Sequence, residues 1–152
     1  MTSRQTPAVR RIVVGVDGSE QSLSALRWAA LIADATGASI EAVTAWEYPS
    51  TYGEPVYTDD WRPDLDSAQV LEDALTEAFG AHRPAALKTQ ILEGPARVVL
   101  LDESVGADMI VVGSRGHGGF AGMLLGSVSA ACAEHARCAV LVVHADPRAQ
   151  QP

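Results

Sequence analysis

Residues 109–128 read Met-Ile-Val-Val-Gly-Ser-Arg-Gly-His-Gly-Gly-Phe-Ala-Gly-Met-Leu-Leu-Gly-Ser-Val. The first four form the short, β-branched run of a buried strand, and the chain then passes at once into Gly113-Ser114-Arg115-Gly116-His117-Gly118-Gly119. After an apolar bridge, Phe120 to Leu125, the triplet Gly126-Ser127-Val128 opens a segment rich in Ala and Ser that reaches about Ala136. Small side chains of that kind let a helix lie close against a sheet. Strand, glycine-rich loop and helix make half of a βα repeat, so the fold depends on whether the rest of the chain repeats it.

It does. Four further runs read as strands, Arg10 to Asp17, Ser39 to Trp46, Leu87 to Leu92 and Ala139 to His144, in addition to Met109 to Gly113. Helical patterns separate them. Ser19 suits the N-cap of a helix with the stripe Leu23, Leu26, Ala30, Ala33, and Gly37 supplies its left-handed stop. A second follows Pro63, with Leu71, Ala74, Leu75 and Ala78, and ends at Gly80. Pro95 suits the first turn of a third that stops at Gly106, and the fourth spans about Ser127 to Ala136. Right-handed crossovers leave few arrangements, and the expected one is an α/β fold: an open, doubly wound, five-stranded parallel sheet of order 3-2-1-4-5 with helices on both faces, Rossmann-like. The segment Glu47 to Arg62, with Pro49, Gly53, Pro55 and aromatic residues, follows neither period and reads as a surface loop or lid.

A chain of 152 residues that is 47% hydrophobic fits one domain, expected over residues 10–145 with short tails at 1–9 and 146–152. The formal charge of −8, with Lys88 as the one lysine, argues against nucleic acid as a partner, because non-specific binding there needs clustered cations. The N-terminus has no apolar signal region and no stretch has the length of a membrane span, so a cytoplasmic protein without membrane contact is expected. Cys132 and Cys138 lack the spacing of a disulfide framework or metal site and read as reduced thiols. His82, His135 and His144 have no partner at metal-binding spacing.

In the expected order the switch point falls between the first and fourth strands, and ligands of such sheets sit beyond the carboxyl ends of those strands. The glycine-rich loop lies at that point. Glycines let backbone N–H groups approach an anion, and the following helix start adds unpaired donors and a positive dipole end. Ser127 adds a hydroxyl there, and Ser114, Arg115 and His117 supply polar side chains among Gly116, Gly118 and Gly119. Opposite stands Val14-Gly15-Val16-Asp17-Gly18-Ser19. Asp17 is suited to a ribose hydroxyl or to Mg²⁺, and equally to bracing the first helix. Gly15 would let a base or ribose pass close to the backbone, and Ile40 is a candidate apolar wall.

Gly113, Gly116 and Gly126-Ser127 fit the spacing G-x2-G-x9-G-[S/T], and with Val-Gly-Val-Asp-Gly-Ser at the first strand the chain resembles the universal stress proteins from about Arg10 to His144. The resemblance implies ATP in the crevice. By motif match it implies Asp17 at the ribose, Gly113, Gly116, Gly126, Ser127 and Val128 at the phosphates, and Gly15, Ile40 and Val112 near the adenosine. One departure is Ala139, where many relatives carry proline. The implied role is regulatory nucleotide sensing in stress or dormancy, with regulatory protein partners, and the alternatives are a slow ATPase or a module for another adenine nucleotide such as cyclic AMP.

No Walker-type G-K-[S/T] is present and no second acid accompanies Asp17 in the motif regions, so hydrolysis is expected to be slow at most. A phospho-acceptor receiver domain shares the architecture but lacks support, since the paired acid after the first strand and the lysine after the fifth are missing. The fifth strand, Ala139 to Val143, is apolar and unguarded at the expected sheet edge. A homodimer through it is expected, as the resemblance also implies.

Overall fold

The computed structural model describes residues 7–117, 122 and 124–146. Its elements, in chain order, are β1 (Arg11–Gly15), α1 (Glu20–Thr36), β2 (Ser39–Trp46), β3 (Ser50–Thr51), β4 (Glu54–Pro55), α2 (Pro63–Phe79), β5 (Leu87–Glu93), α3 (Ala96–Ser104), β6 (Met109–Gly113), α4 (Ser127–His135) and β7 (Ala139–Val143). Five strands form one parallel sheet in the order β5-β2-β1-β6-β7, the 3-2-1-4-5 arrangement read from the sequence.

Alternation along the strands divides the core into two layers. Ile12, Val14, Ile40 and Ala42 face α1 and α2, where Leu26, Leu71 and Leu75 complete a cluster that Val9 also packs against. Val13, Val43, Ile110 and Val112 face the other way, against Val99 and Leu100 of α3 and Cys132 of α4. Burial pushes the Cys132 thiol up to about 11, so it serves as packing rather than as a nucleophile.

Local signals fix the helix ends. Ser19 caps α1, accepting from the Ser22 amide, and Gly37 closes it in the left-handed conformation with φ 77°. Pro63 opens α2 and Gly80 ends it. At the amino end of the sheet, Arg11 bridges Glu41 and Glu103 at 2.6 and 2.9 Å. The Asp108 carboxylate accepts the amides of Arg10 and Arg11, which hold it below the usual carboxylate range.

The segment after β2 is more ordered than its lack of period suggests. β3 and β4 form a two-residue hairpin around Tyr52 and Gly53, with φ 52° and 81°, the positive pair that a type I′ turn requires. Tyr48 gathers the rings of Trp46, Tyr57 and Trp61 at centroid distances of 5.5, 4.7 and 6.3 Å, which ties this hairpin to the end of β2. No residue of this segment lines the cavity described below. Among the described residues, no helix is long and apolar enough to cross a membrane.

Candidate functional site

A cavity of about 360 Å³ opens at the carboxyl ends of β1 and β6, where the sheet reverses its winding. That size lies within the roughly 300–1,000 Å³ of small-molecule sites. Its floor is built by glycines for steric reasons. A Cβ at Gly113 would lie 2.5 Å from the Gln21 Cβ and 3.0 Å from the Gln21 carbonyl carbon, so β6 and the first turn of α1 meet backbone to backbone. A Cβ at Gly116 would overlap the Asp17 carboxylate oxygen Oδ2. At Gly15 it would lie 2.8 Å from a Leu100 methyl and 3.3 Å from Val112, the close packing beneath the cavity.

The loop's two feet are pinned together. The Gly126 amide donates to the Ser114 carbonyl at 2.7 Å, the Ser129 hydroxyl donates to the same oxygen at 2.7 Å, and the Ser114 amide donates to the Val143 carbonyl at 2.7 Å. Ser114 is 2% exposed, so it fastens the loop to β7 and α4 rather than facing a ligand. From this base α4 starts at Ser127 with Gly126 as N-cap, and no side chain caps it. Ser127, Val128 and Ser129, its first turn, all line the cavity. Backbone donors at the positive end of a helix thus face a concave surface, the arrangement that favours an anion.

Asp17 lines the cavity as well, but its carboxylate is already engaged. Oδ1 accepts from the Ser19 amide at 2.9 Å and the Ser19 hydroxyl at 2.5 Å, and Oδ2 accepts from the His117 amide at 3.3 Å. The bracing role is therefore the one these contacts express. No group of three or more side chains that could hold a metal ion is found among the described residues. Arg115 and His117 supply the basic side chains of the lining.

Of the other residues selected from sequence, Gly15, Gly113, Gly116, Gly126, Ser127 and Val128 lie on the cavity, and Val112 lies just below it. Gly118 and Gly119 fall outside the described residues. Ile40 requires correction. It pairs with Ile12 at the amino end of the sheet and belongs to the α1 and α2 layer, so it has both the wrong height and the wrong face. Val43 and Ala45 form that wall instead, because Gly15 is level with Val43 and residues 43 and 45 share the opposite face. Ala96 and Leu100 of α3 complete it. The register of β1 against β2 was the missing information.

A doubly wound parallel sheet whose switch point joins a glycine floor to an uncapped helix start defines an open, Rossmann-like α/β protein. The sequence model of the Universal stress protein family matches residues 8–144, and the chain belongs to that family. Universal stress protein Rv2624c of Mycobacterium tuberculosis is 34% identical over 144 residues, covering 94% of this chain and 51% of that protein. The chain thus spans about half the length of the curated relatives it matches. A crystal structure of a universal stress protein in complex with cAMP is 31% identical with a TM-score of 0.68, covering 91% of this chain and 99% of the other. UspA from Lactobacillus plantarum shares the fold at 23% identity and a TM-score of 0.73, over 91% and 99% of the two chains. More remote structures of the same fold carry AMP, from Arabidopsis thaliana, and dAMP, from Archaeoglobus fulgidus, at 21% and 20% identity, with TM-scores of 0.55 and 0.58 over 93% and 91% of this chain and 95% and 99% of theirs.

Proposed function

We propose that this chain binds an adenine nucleotide in the cavity between β1 and β6, that the nucleotide is ATP, and that it acts as a regulatory signal in a stress response. The observation that carries the reading is the uncapped first turn of α4 facing a cavity floored by closely packed glycines. The residues present fit such a ligand. Ser127, Val128 and Ser129 would hold phosphate oxygens, Arg115 would add charge, and the apolar wall of Val43, Ala45 and Leu100 would take the base. A magnesium ion, if carried, would be held chiefly by the phosphates, as that cation keeps much of its shell outside the protein. Efficient hydrolysis calls for fixed metal ligands and a residue placing the nucleophile, and among the described residues the lining contains one carboxylate and no lysine.

A second reading is favoured by one observation: the 31% identical structure binds cyclic AMP, whose single phosphate needs less of the loop. Denaturing the purified protein and identifying the released nucleotide, followed by competition between ATP, AMP and cyclic AMP, tests both. Saturation at about 100 times Kd should raise Tm by about 5–10 °C. An empty protein whose Tm is indifferent to all three nucleotides overturns the assignment. Stoichiometric release of phosphate with turnover favours an ATPase instead.

We also propose that two copies pair through β7. It is the sheet edge beyond β6, α1 packs on it, and α1 exposes Trp28 and Leu31 at 49% and 59%. Light scattering should give a mass near twice 16.0 kDa, reduced by Trp28→Glu. A monomer at tens of micromolar excludes the pairing.

A further inference from the structure

We infer that His117 is a positioning residue: its side chain latches the glycine-rich loop onto the end of β1 and so sets the loop in its ligand-ready place. The inference rests on the nucleotide reading above for its functional consequence, and on the following contacts for its geometry.

The His117 ring nitrogen Nε2 lies 3.0 Å from the Asp17 carbonyl oxygen. A carbonyl oxygen only accepts, so Nε2 carries the hydrogen and the ring is held in that tautomer when neutral. The His117 amide reaches the same residue through Asp17 Oδ2 at 3.3 Å. One residue of the loop thus grips Asp17 twice, through side chain and main chain, across a separation of 100 positions in sequence. Gly116 makes the approach possible, since any side chain there would strike the carboxylate that His117 engages.

The grip extends into α1. Asp17 Oδ1 takes both donors of Ser19, and the Ser19 hydroxyl caps the helix at Ser22. His117, Asp17, Ser19 and Ser22 form a continuous set of contacts, and each of the four lines the cavity. On its other side His117 borders a smaller cavity of about 230 Å³ with Val70, Asp73 and Glu77 of α2. His117 and Asp17 thus border both spaces.

The bonds at Ser114 and this latch hold the loop at two points, one to β7 and α4 and one to the end of β1. Loop amides between two such fixed points are preorganised for a ligand, and affinity lost on releasing one point reflects the cost of restoring that order.

The test uses His117→Ala and His117→Gln in the full chain. Glutamine places an N–H donor the same number of bonds from Cβ as histidine Nε2, so it should keep the bond that alanine removes. Expected results are an affinity for ATP or AMP about tenfold lower in His117→Ala, with His117→Gln within about threefold of the original. The ligand-free protein gives an independent readout. Amides of residues 18–19 and 114–117 should exchange with solvent several-fold faster in His117→Ala, and not in His117→Gln. Unchanged exchange in ligand-free His117→Ala overturns the latch, as does equal loss of affinity in both variants, which would make His117 a direct ligand contact. Should the unsubstituted protein bind no adenine nucleotide, the functional reading falls while the exchange comparison still decides the latch.

Discussion

Alanine at Gly116 is expected to lower adenine-nucleotide affinity by about 100-fold while shifting Tm by only a few degrees. The added methyl would occupy the space of Asp17 Oδ2, the end of a side chain that Ser19 holds through Oδ1, so carboxylate and loop must move apart. That movement parts the His117 amide from the carboxylate and carries the loop amides with it. Gly116 is exposed, so the loop has solvent to move into and the core keeps its packing. Reduced freedom of the unfolded chain, worth about 0.4–1 kcal/mol for such a replacement, partly offsets the strain. Calorimetric titration with ATP and AMP, paired with a thermal melt, checks both halves of the result. Affinity within threefold of the unsubstituted protein would show that the contact between loop and carboxylate does not shape the site.

Gly113→Ala should do the reverse and damage the fold first. Its methyl would meet the Cβ and carbonyl carbon of Gln21 at 2.5 and 3.0 Å and the Ser22 amide nitrogen at 3.2 Å. Those atoms belong to the first turn of a 17-residue helix packed on the sheet, so they cannot turn aside as a flexible side chain would. Overpacking of this sort costs about 1–3 kcal/mol, or a fall in Tm of roughly 5–10 °C near the upper end. Nucleotide binding should weaken too, because Ser19 and Ser22 move with the helix. Urea unfolding gives the measurement, and a loss of stability under about 0.5 kcal/mol would contradict the backbone contact. The two glycines share one motif yet answer to different neighbours, so the pair separates binding from folding.

The strands and helix ends were legible in the sequence because local chemistry marks them. Ser39–Trp46 and Met109–Gly113 match residue for residue, and Ser19 and Gly37 act as the cap and stop their types suggest. Facts that depend on register were not legible. Ile40 reads as a wall in the sequence because it is apolar and opens the second strand, yet only the pairing of Gly15 with Val43 reveals which residues stand level with the site. Ser114 reads in the sequence as one of the loop's polar candidates, and its burial under bonds to Val143, Gly126 and Ser129 is a tertiary outcome. The hairpin at residues 50–55 escaped notice because tyrosine, rather than asparagine or glycine, takes the first left-handed position of its turn.

Two sides of the cavity come from segments far apart in sequence, residues 15–22 and 113–129, and Val43, Ala45, Ala96 and Leu100 from between them complete it. During synthesis, β1 and α1 leave the ribosome long before β6 and α4 exist, and the central strand must wait for a neighbour about a hundred residues away. On the proposed reading, nucleotide would recognise only a chain whose translation has passed α4. Occupancy would then report completed assembly, and a truncated or misassembled molecule would lack the stabilisation that ligand confers on its finished counterpart.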